Sequence, residues 1–337
     1  MTIHKNPFVL LLILFTISLT AQERGLPIYK DYLTDNYYLI HPSMAGASSE
    51  NKIRLTGRQQ WFDVDDAPAL YTASINGRIG ENVGVGGILF KDSNGRFSQQ
   101  GALATFAYHI PFSNVNEKAN ILSFGMNLGF SQEKLDESDL SNIENPDPII
   151  TGVEQTDAYF NLDFGLSYLY GEFFLHATVK NIMPQERKIF TDVYETDNQR
   201  QYLASFGYTF NRDLSKWSFE PSLMYHYKDE TAESNIDVNF KAYYMTPFGN
   251  FWGGLSYRRA IDAAEFNNAS GEVETADNYQ NLSPFVGVTY DRFMFAYMYT
   301  YQANSVVLSN SGFHQITLGI NFGENKRRYK CNCPFLK

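Results

Sequence analysis

From Lys52 onward, apolar and polar residues alternate with a period of two. In the stretch Ile121–Ser131, Leu122, Phe124, Met126, Leu128 and Phe130 share one parity, and Ser123, Gly125, Asn127 and Gly129 share the other. Ala158, Phe160, Leu162, Phe164, Leu166 and Tyr168 repeat the pattern against Tyr159, Asn161, Asp163, Gly165 and Ser167. Phe173, Leu175, Ala177 and Val179 do so again, and so do Phe293, Phe295, Tyr297, Tyr299 and Tyr301. A helix would place its apolar residues three and four apart, so these segments predict strands. About fourteen such segments lie near 52–61, 69–79, 82–91, 97–110, 120–131, 157–169, 172–181, 201–210, 216–228, 235–246, 250–260, 281–290, 292–302 and 312–322. Most run about 10 to 13 residues, longer than the usual globular strand and long enough to cross a bilayer when tilted.

The connections separate into two sets. Gly80-Glu81, Tyr170-Gly171, Asn211–Ser215, Pro247–Gly249 and Asp291 are short. Gln132–Thr156, Ile182–Arg200 and Ile261–Gln280 are long, and all three fall at the opposite end. Short inner turns and long outer loops are the topology of a bacterial outer-membrane barrel. The chain therefore predicts an all-β transmembrane antiparallel outer-membrane β-barrel of about fourteen strands. The apolar parity faces lipid, with backbone groups satisfied by closure. Tyr108, Tyr168, Tyr208, Trp217, Tyr227, Tyr257 and Tyr290 are candidates for the interfacial girdles.

Composition narrows the class further. Of 337 residues, 44% are hydrophobic and 16% aromatic, with 24 Gly, 2 Cys and a net charge of −10. So many aromatics exclude disorder, and so few cysteines exclude a disulfide scaffold. A negative chain without a long basic run is no nucleic-acid binder. The one continuous apolar run, Phe8–Leu19, follows His4 and Lys5 and precedes Ala21. It is too short to span a bilayer and reads as a signal peptide cut near Ala21, which places the mature chain outside the cytoplasm; with the barrel pattern, the expected location is the cell outer membrane. The expected organisation is a signal peptide over 1–21, a periplasmic or plug segment over 22–51, a barrel over 52–322 and a basic periplasmic tail over 323–337.

The inward parity carries both signs of charge: Lys52, Arg54, Arg58, Asp163, Lys180, Glu220, Asp237, Lys241 and Arg258, with His176 and His226. A conducting pore could use such a lining. Mixed signs instead favour a paired interior that holds the barrel shut or pins a plug. Glu133, Asp136, Glu137, Asp139, Glu144, Asp147 and Glu154 make the first long loop acidic, which suits a solvated face or a docking surface. No G-x-S-x-G or H-E-x-x-H pattern occurs and the six His are scattered, so no catalytic, cofactor or metal residue is assigned. Cys331 and Cys333 are too close for an unstrained bond.

The entry segment differs from the strands. Tyr29, Tyr32, Tyr37 and Tyr38 precede His41-Pro42-Ser43-Met44-Ala45-Gly46, where Pro42 breaks the alternation. Arg58-Gln59-Gln60-Trp61 and Ala67-Pro68 follow. The tyrosine-rich start, the N-P-A-x-A-G-like turn, the R-x-Q-W strand, the A-P pair and the Cys-Pro tail resemble the PorP/SprF family of type IX secretion barrels of Bacteroidetes. The chain departs from that pattern at His41 and Ser43, where the family usually has Asn and Ala. The resemblance implies a non-enzymatic partner barrel for a secreted surface protein such as a gliding adhesin. It would bind the cargo's C-terminal domain and link it to other secretion components, with periplasmic lipoproteins as further candidate partners. A FadL-like or porin-like transporter of small or hydrophobic solutes is the alternative. The candidate partner-binding or plug residues are Tyr37, Tyr38, His41, Pro42, Gly46, Arg58, Gln59, Gln60 and Trp61.

Overall fold

A computed structural model describes residues 33, 36–60, 66–112, 118–138, 152–183, 189, 200–211, 215–229, 232–261, 265–267, 273–275, 280–302 and 312–324. The leader with Ala21, Tyr29 and Tyr32, Trp61, much of the three long connections, and the tail with Cys331 and Cys333 lie outside the described residues.

The strands are β1 (Glu50–Gln60), β2 (Ala69–Ile79), β3 (Val83–Asn94), β4 (Phe97–Pro111), β5 (Asn120–Asp136), β6 (Glu154–Tyr170), β7 (Phe173–Lys180), β8 (Gln201–Tyr208), β9 (Phe210–Asn211), β10 (Trp217–Lys228), β11 (Ser234–Thr246), β12 (Gly249–Ala260), β13 (Glu265–Asn267), β14 (Val273–Thr275), β15 (Gln280–Tyr290), β16 (Phe293–Gln302) and β17 (Phe313–Glu324). All wall pairings are antiparallel between neighbours, and β17 pairs with β1 through Thr56 opposite Thr317 to close the ring. β8 and β9 are two parts of one wall strand, since both pair with β10. The wall is thus a closed fourteen-stranded barrel, with β13 and β14 as a separate hairpin. Closure leaves no sheet edge, as a lipid-embedded wall requires.

Two prolines interrupt the ladder without shifting its register. Between β8–β9 and β10 the pairing skips Pro221, with Gly207 opposite Ser222 on one side and Phe210 opposite Phe219 on the other. Between β15 and β16 it skips Pro284, where Ser283 and Thr300 hydroxyls bond at 2.9 Å instead. Proline has no N–H to donate there.

The alternation sorts the two faces as expected. Leu128, Phe160, Val286 and Leu89 are exposed on the outer surface, whereas Asn127, Tyr159, Phe285 and Ile88 beside them are buried. At the short-turn end Tyr108, Tyr208, Trp217 and Tyr290 are exposed, joined by Phe112, Phe210, Phe248 and Phe293. Tyr168, Tyr227 and Tyr257 are half-buried.

The structure differs from expectation above β5 and β6. Both strands run past the expected loop boundary, pairing Lys134 with Thr156 and Asp136 with Glu154. Glu133 is therefore no loop residue. It is buried in the lumen, where its Oε1 accepts hydrogen bonds from Tyr159 Oη at 3.0 Å and Gln99 Nε2 at 3.3 Å. Strand parity and two neutral donors explain its inward position. The last long connection, expected as loop, contains the β13–β14 hairpin.

Candidate functional site

The segment Asn36–Ser48 lies inside the barrel and is buried throughout. Two short 3-10 turns, Tyr37–Leu39 and Pro42–Met44, build it. Pro42 starts the second turn, a place where its missing N–H removes no internal bond. Gly46, after the second turn, has φ +67, and a Cβ there would sit 2.6 Å from Gly77 O, so glycine is required on both counts.

This plug is hydrogen-bonded to the wall along its length, at Asn36, Tyr38, His41, Ser43, Ala45 and Gly46. Asn36 Nδ2 donates to Ser74 Oγ at 3.1 Å. The Tyr38 hydroxyl bonds Thr105 Oγ1 at 2.6 Å. His41 engages Thr178 Oγ1 through Nδ1 at 2.8 Å and Ser205 Oγ through Nε2 at 2.9 Å. Ser43 Oγ bonds Ser167 Oγ at 2.6 Å, which in turn bonds His176 Nδ1 at 2.7 Å. His109 Nε2 donates to Ala45 O at 2.9 Å, and Arg78 Nε donates to Gly46 O at 2.9 Å. Gly46 N donates to Asn76 Oδ1 at 3.2 Å. On the far side Lys241 Nζ donates to Leu33 O at 3.1 Å while lying 4.4 Å from the Trp252 ring centroid.

Glycines make the room. A Cβ on Gly125 would fall on the Pro42–Ser43 peptide, and one on Gly165 would lie 2.9 Å from Pro42 Cδ. One on Gly86 would meet the Tyr38 hydroxyl and one on Gly84 the Ala45 carbonyl. Asn76, Arg78, His109 and Ser167 lie toward the short-turn ends of their strands, Thr105 and Ser205 lie at mid-strand, and Thr178 pairs with Gly165 of β6, so the plug fills the short-turn half of the lumen and reaches its middle.

The candidate residues therefore divide. Tyr37, Tyr38, His41, Pro42 and Gly46 share the plug. Arg58 and Gln60 are buried on the inward face of β1 at its long-loop end, with the Arg58 guanidinium 5.3 Å from the Phe313 ring centroid. Gln59 lies on the outward parity and is half-buried. The eight-residue climb from Glu50 to Arg58 separates the two groups by roughly 25 Å of strand.

The model of the family described as type IX secretion system membrane protein PorP/SprF matches residues 21–320. The chain belongs to the PorP/SprF family. No curated protein matches it in sequence. Among solved structures it is similar to the TodX monoaromatic hydrocarbon channel deltaS2 mutant, at 9% identity over 87% of this chain and 94% of that one, with a TM-score of 0.49. It is similar to the CymD monoaromatic hydrocarbon channel at 11% identity, over 87% and 93% of the two chains, with a TM-score of 0.49. The toluene transporter TodX of P. putida is 8% identical over 84% and 92%, with a TM-score of 0.46.

In this PorP/SprF barrel the plug carries two titratable groups with shifted behaviour. Burial, aided by the nearby charges of His176 and Lys180, holds the His41 pKa well below its ordinary value. Burial raises that of the Tyr38 hydroxyl. Both stay neutral in the packed state at neutral pH. Among the described residues no group of three or more His, Cys, Asp or Glu is placed to hold a metal ion. On the wall opposite the plug, Arg258 and Asp237 form a buried two-bond ion pair at 2.6 and 2.9 Å.

Reading the sequence did not find the receiving bed. Inward glycines were its visible signal, but the matching hydroxyls lie on five different strands and no local pattern joins them. The inward Met224, Met294, Met298, Trp252 and Phe285 also escaped notice, because outward aromatics on the same strands dominate the pattern.

Proposed function

We propose that this barrel anchors or assists export of a secreted surface protein. It binds the C-terminal domain of that cargo at the long-loop end and links it to the secretion and gliding machinery of the type IX system. The observation that carries the reading is the plug: the chain's own segment fills the short-turn half of the lumen, with bonds on β2, β4, β6, β7 and β8. A barrel so filled offers its partners an end and a rim rather than a through-channel. Membership in a type IX secretion family supports the same reading. The reaction chemistry asked of the barrel is binding alone.

Deleting the chain and surveying secreted and surface proteins tests this. Loss of one large adhesin from the surface is the expected result. An unchanged inventory overturns the proposal. Planar-bilayer recording separates it from solute transport: the purified barrel should conduct little until the plug is displaced. Free conductance or substrate-dependent uptake by the intact barrel would favour transport instead.

A further inference from the structure

Beyond the plug, on its long-loop side, lies a cavity of about 130 Å³ with Leu39 of the plug in its lining. Its walls differ in kind. Ile88, Phe90 and Leu103, from β3 and β4, form an apolar side. Asn161 and Asp163 of β6, Lys180 of β7 and Gln201 of β8 form a polar side.

Both sides are built. A Cβ on Gly101 would lie 2.7 Å from the Phe90 ring, and one on Gly129 would lie 2.6 Å from Leu103. The ring and the isobutyl group thus lie along the wall where those glycines have no side chain, which keeps the space in front of them open. The polar side is fixed by neighbours. Asn161 Nδ2 donates to Ser131 Oγ at 2.8 Å. The Asp163 carboxylate accepts Asn127 Nδ2 and Asn181 N, each at 3.0 Å. Each of its oxygens keeps a second lone pair. Gln201 Oε1 bonds His226 Nε2 at 3.0 Å, and its amide NH2 has no protein partner among the described residues.

We propose that this cavity binds one sugar unit. A pyranose has a C–H-rich face, which an aromatic ring and aliphatic side chains can cover. Its hydroxyl rim both donates and accepts. Rigidly held amides and a carboxylate complement such a rim, because together they offer both donors and acceptors. A hydrocarbon guest would cover Phe90 and Leu103 equally well, but would leave the amides and the carboxylate desolvated and unmatched. The guest is either a free saccharide or a sugar of a membrane glycan at the cell surface. The inference is independent of the cargo-anchoring reading.

The test uses the full chain in detergent, with saturation-transfer NMR and calorimetry. The probes are glucose, galactose, mannose and N-acetylglucosamine in one arm and purified lipopolysaccharide in the other. Leucine and toluene are the competitors. Saturable saccharide binding is expected, weakened about tenfold in both Phe90→Leu and Asn161→Leu, the effect of losing one good contact each. Binding in the first arm assigns a free saccharide, and binding in the second alone assigns a surface glycan; either supports the proposal. Absence of saccharide binding in both arms, binding unchanged by both substitutions, or preference for toluene or leucine overturns it. Heat-modifiable gel mobility reports folding of each variant. Gln201→Leu, at the half-buried edge of the cavity, replaces any variant that fails to fold and carries the same expected loss.

Discussion

The two walls of the lumen close it in opposite ways. From β2 to β8 the bed under the plug is built largely of small inward residues, Ser74, Thr105, Ser167, Thr178 and Ser205 with Gly84, Gly86, Gly125 and Gly165, and His109, Phe174 and His176 are its bulky members. That wall leaves space and fills it with a separate segment of the chain. From β10 to β16 large inward side chains occupy the lumen themselves: Met224, Tyr243, Trp252, Phe285, Met294 and Met298, with the Arg258–Asp237 pair among them and small residues such as Ser222, Ser256 and Ser283 between. That wall fills its own half. Integrity of the second wall therefore depends on its own side chains, whereas filling of the first depends on a segment that could in principle leave. Damage to the two walls should look different.

The sharpest separation comes from Arg258. Replacing it with Leu leaves the Asp237 charge buried and unmatched in a wall the plug hardly touches. We expect a loss of about 3 to 5 kcal/mol, read as a fall in the thermal unfolding midpoint. The double variant Arg258→Leu/Asp237→Leu should recover most of it, since removing both partners abolishes the desolvation problem. In neither variant should the plug loosen. If Arg258→Leu frees the plug as well, the walls are coupled and the comparison fails.

Gly125→Val attacks the other wall. Its side chain would occupy the place of the Pro42–Ser43 peptide, and backbone cannot move aside as a flexible side chain can. Overpacking of this kind costs about 1 to 3 kcal/mol. Here the relief is expulsion of the plug. A cysteine introduced by Ser43→Cys should react slowly with a water-soluble maleimide in the parent barrel and quickly beside Gly125→Val. Equal labelling rates would mean that the glycine bed does not seat the plug.

The same contrast marks what could be read before the structure. Strand positions, loop asymmetry and the outward face were legible, because lipid imposes an apolar parity on every strand and a one-residue error would invert it. The wall strands end within a few residues of where the alternation stops, except where β5 and β6 continue upward through polar sequence. There the ladder extends into water, where parity no longer has to be apolar outside. The plug was visible only as a break in that pattern at Pro42. Its bed was hidden, since Ser205 and Ser167 meet His41 and Ser43 across 164 and 124 residues of sequence. Arg58 and Gln60 were grouped with the plug by proximity in sequence, and β1 carries them to the other end of the lumen.

The smallest expected effect is one of pH. His41 is wholly buried between Thr178 and Ser205, and its ring centroid lies 4.9 Å from that of His176. Burial first, then the charges of His176 and Lys180, lower its pKa in the packed state. A released plug returns His41 to an ordinary value near about 6.5. The packed state thus prefers the neutral ring, and protons favour release. Packing keeps its full stability above about pH 6.5 and loses it as the pH falls below that value, by at most about 1.4 kcal/mol per pH unit for one group. The unfolding midpoint and the labelling rate at position 43 should therefore worsen between about pH 7.5 and about pH 5. His41→Gln retains a donor and an acceptor but cannot take up the proton, so it should flatten the part of the slope due to this ring. Other lumen histidines keep their share in both proteins, which makes the difference between parent and variant the informative quantity. An identical pH dependence in the two would show that His41 does not couple protonation to the seating of the plug.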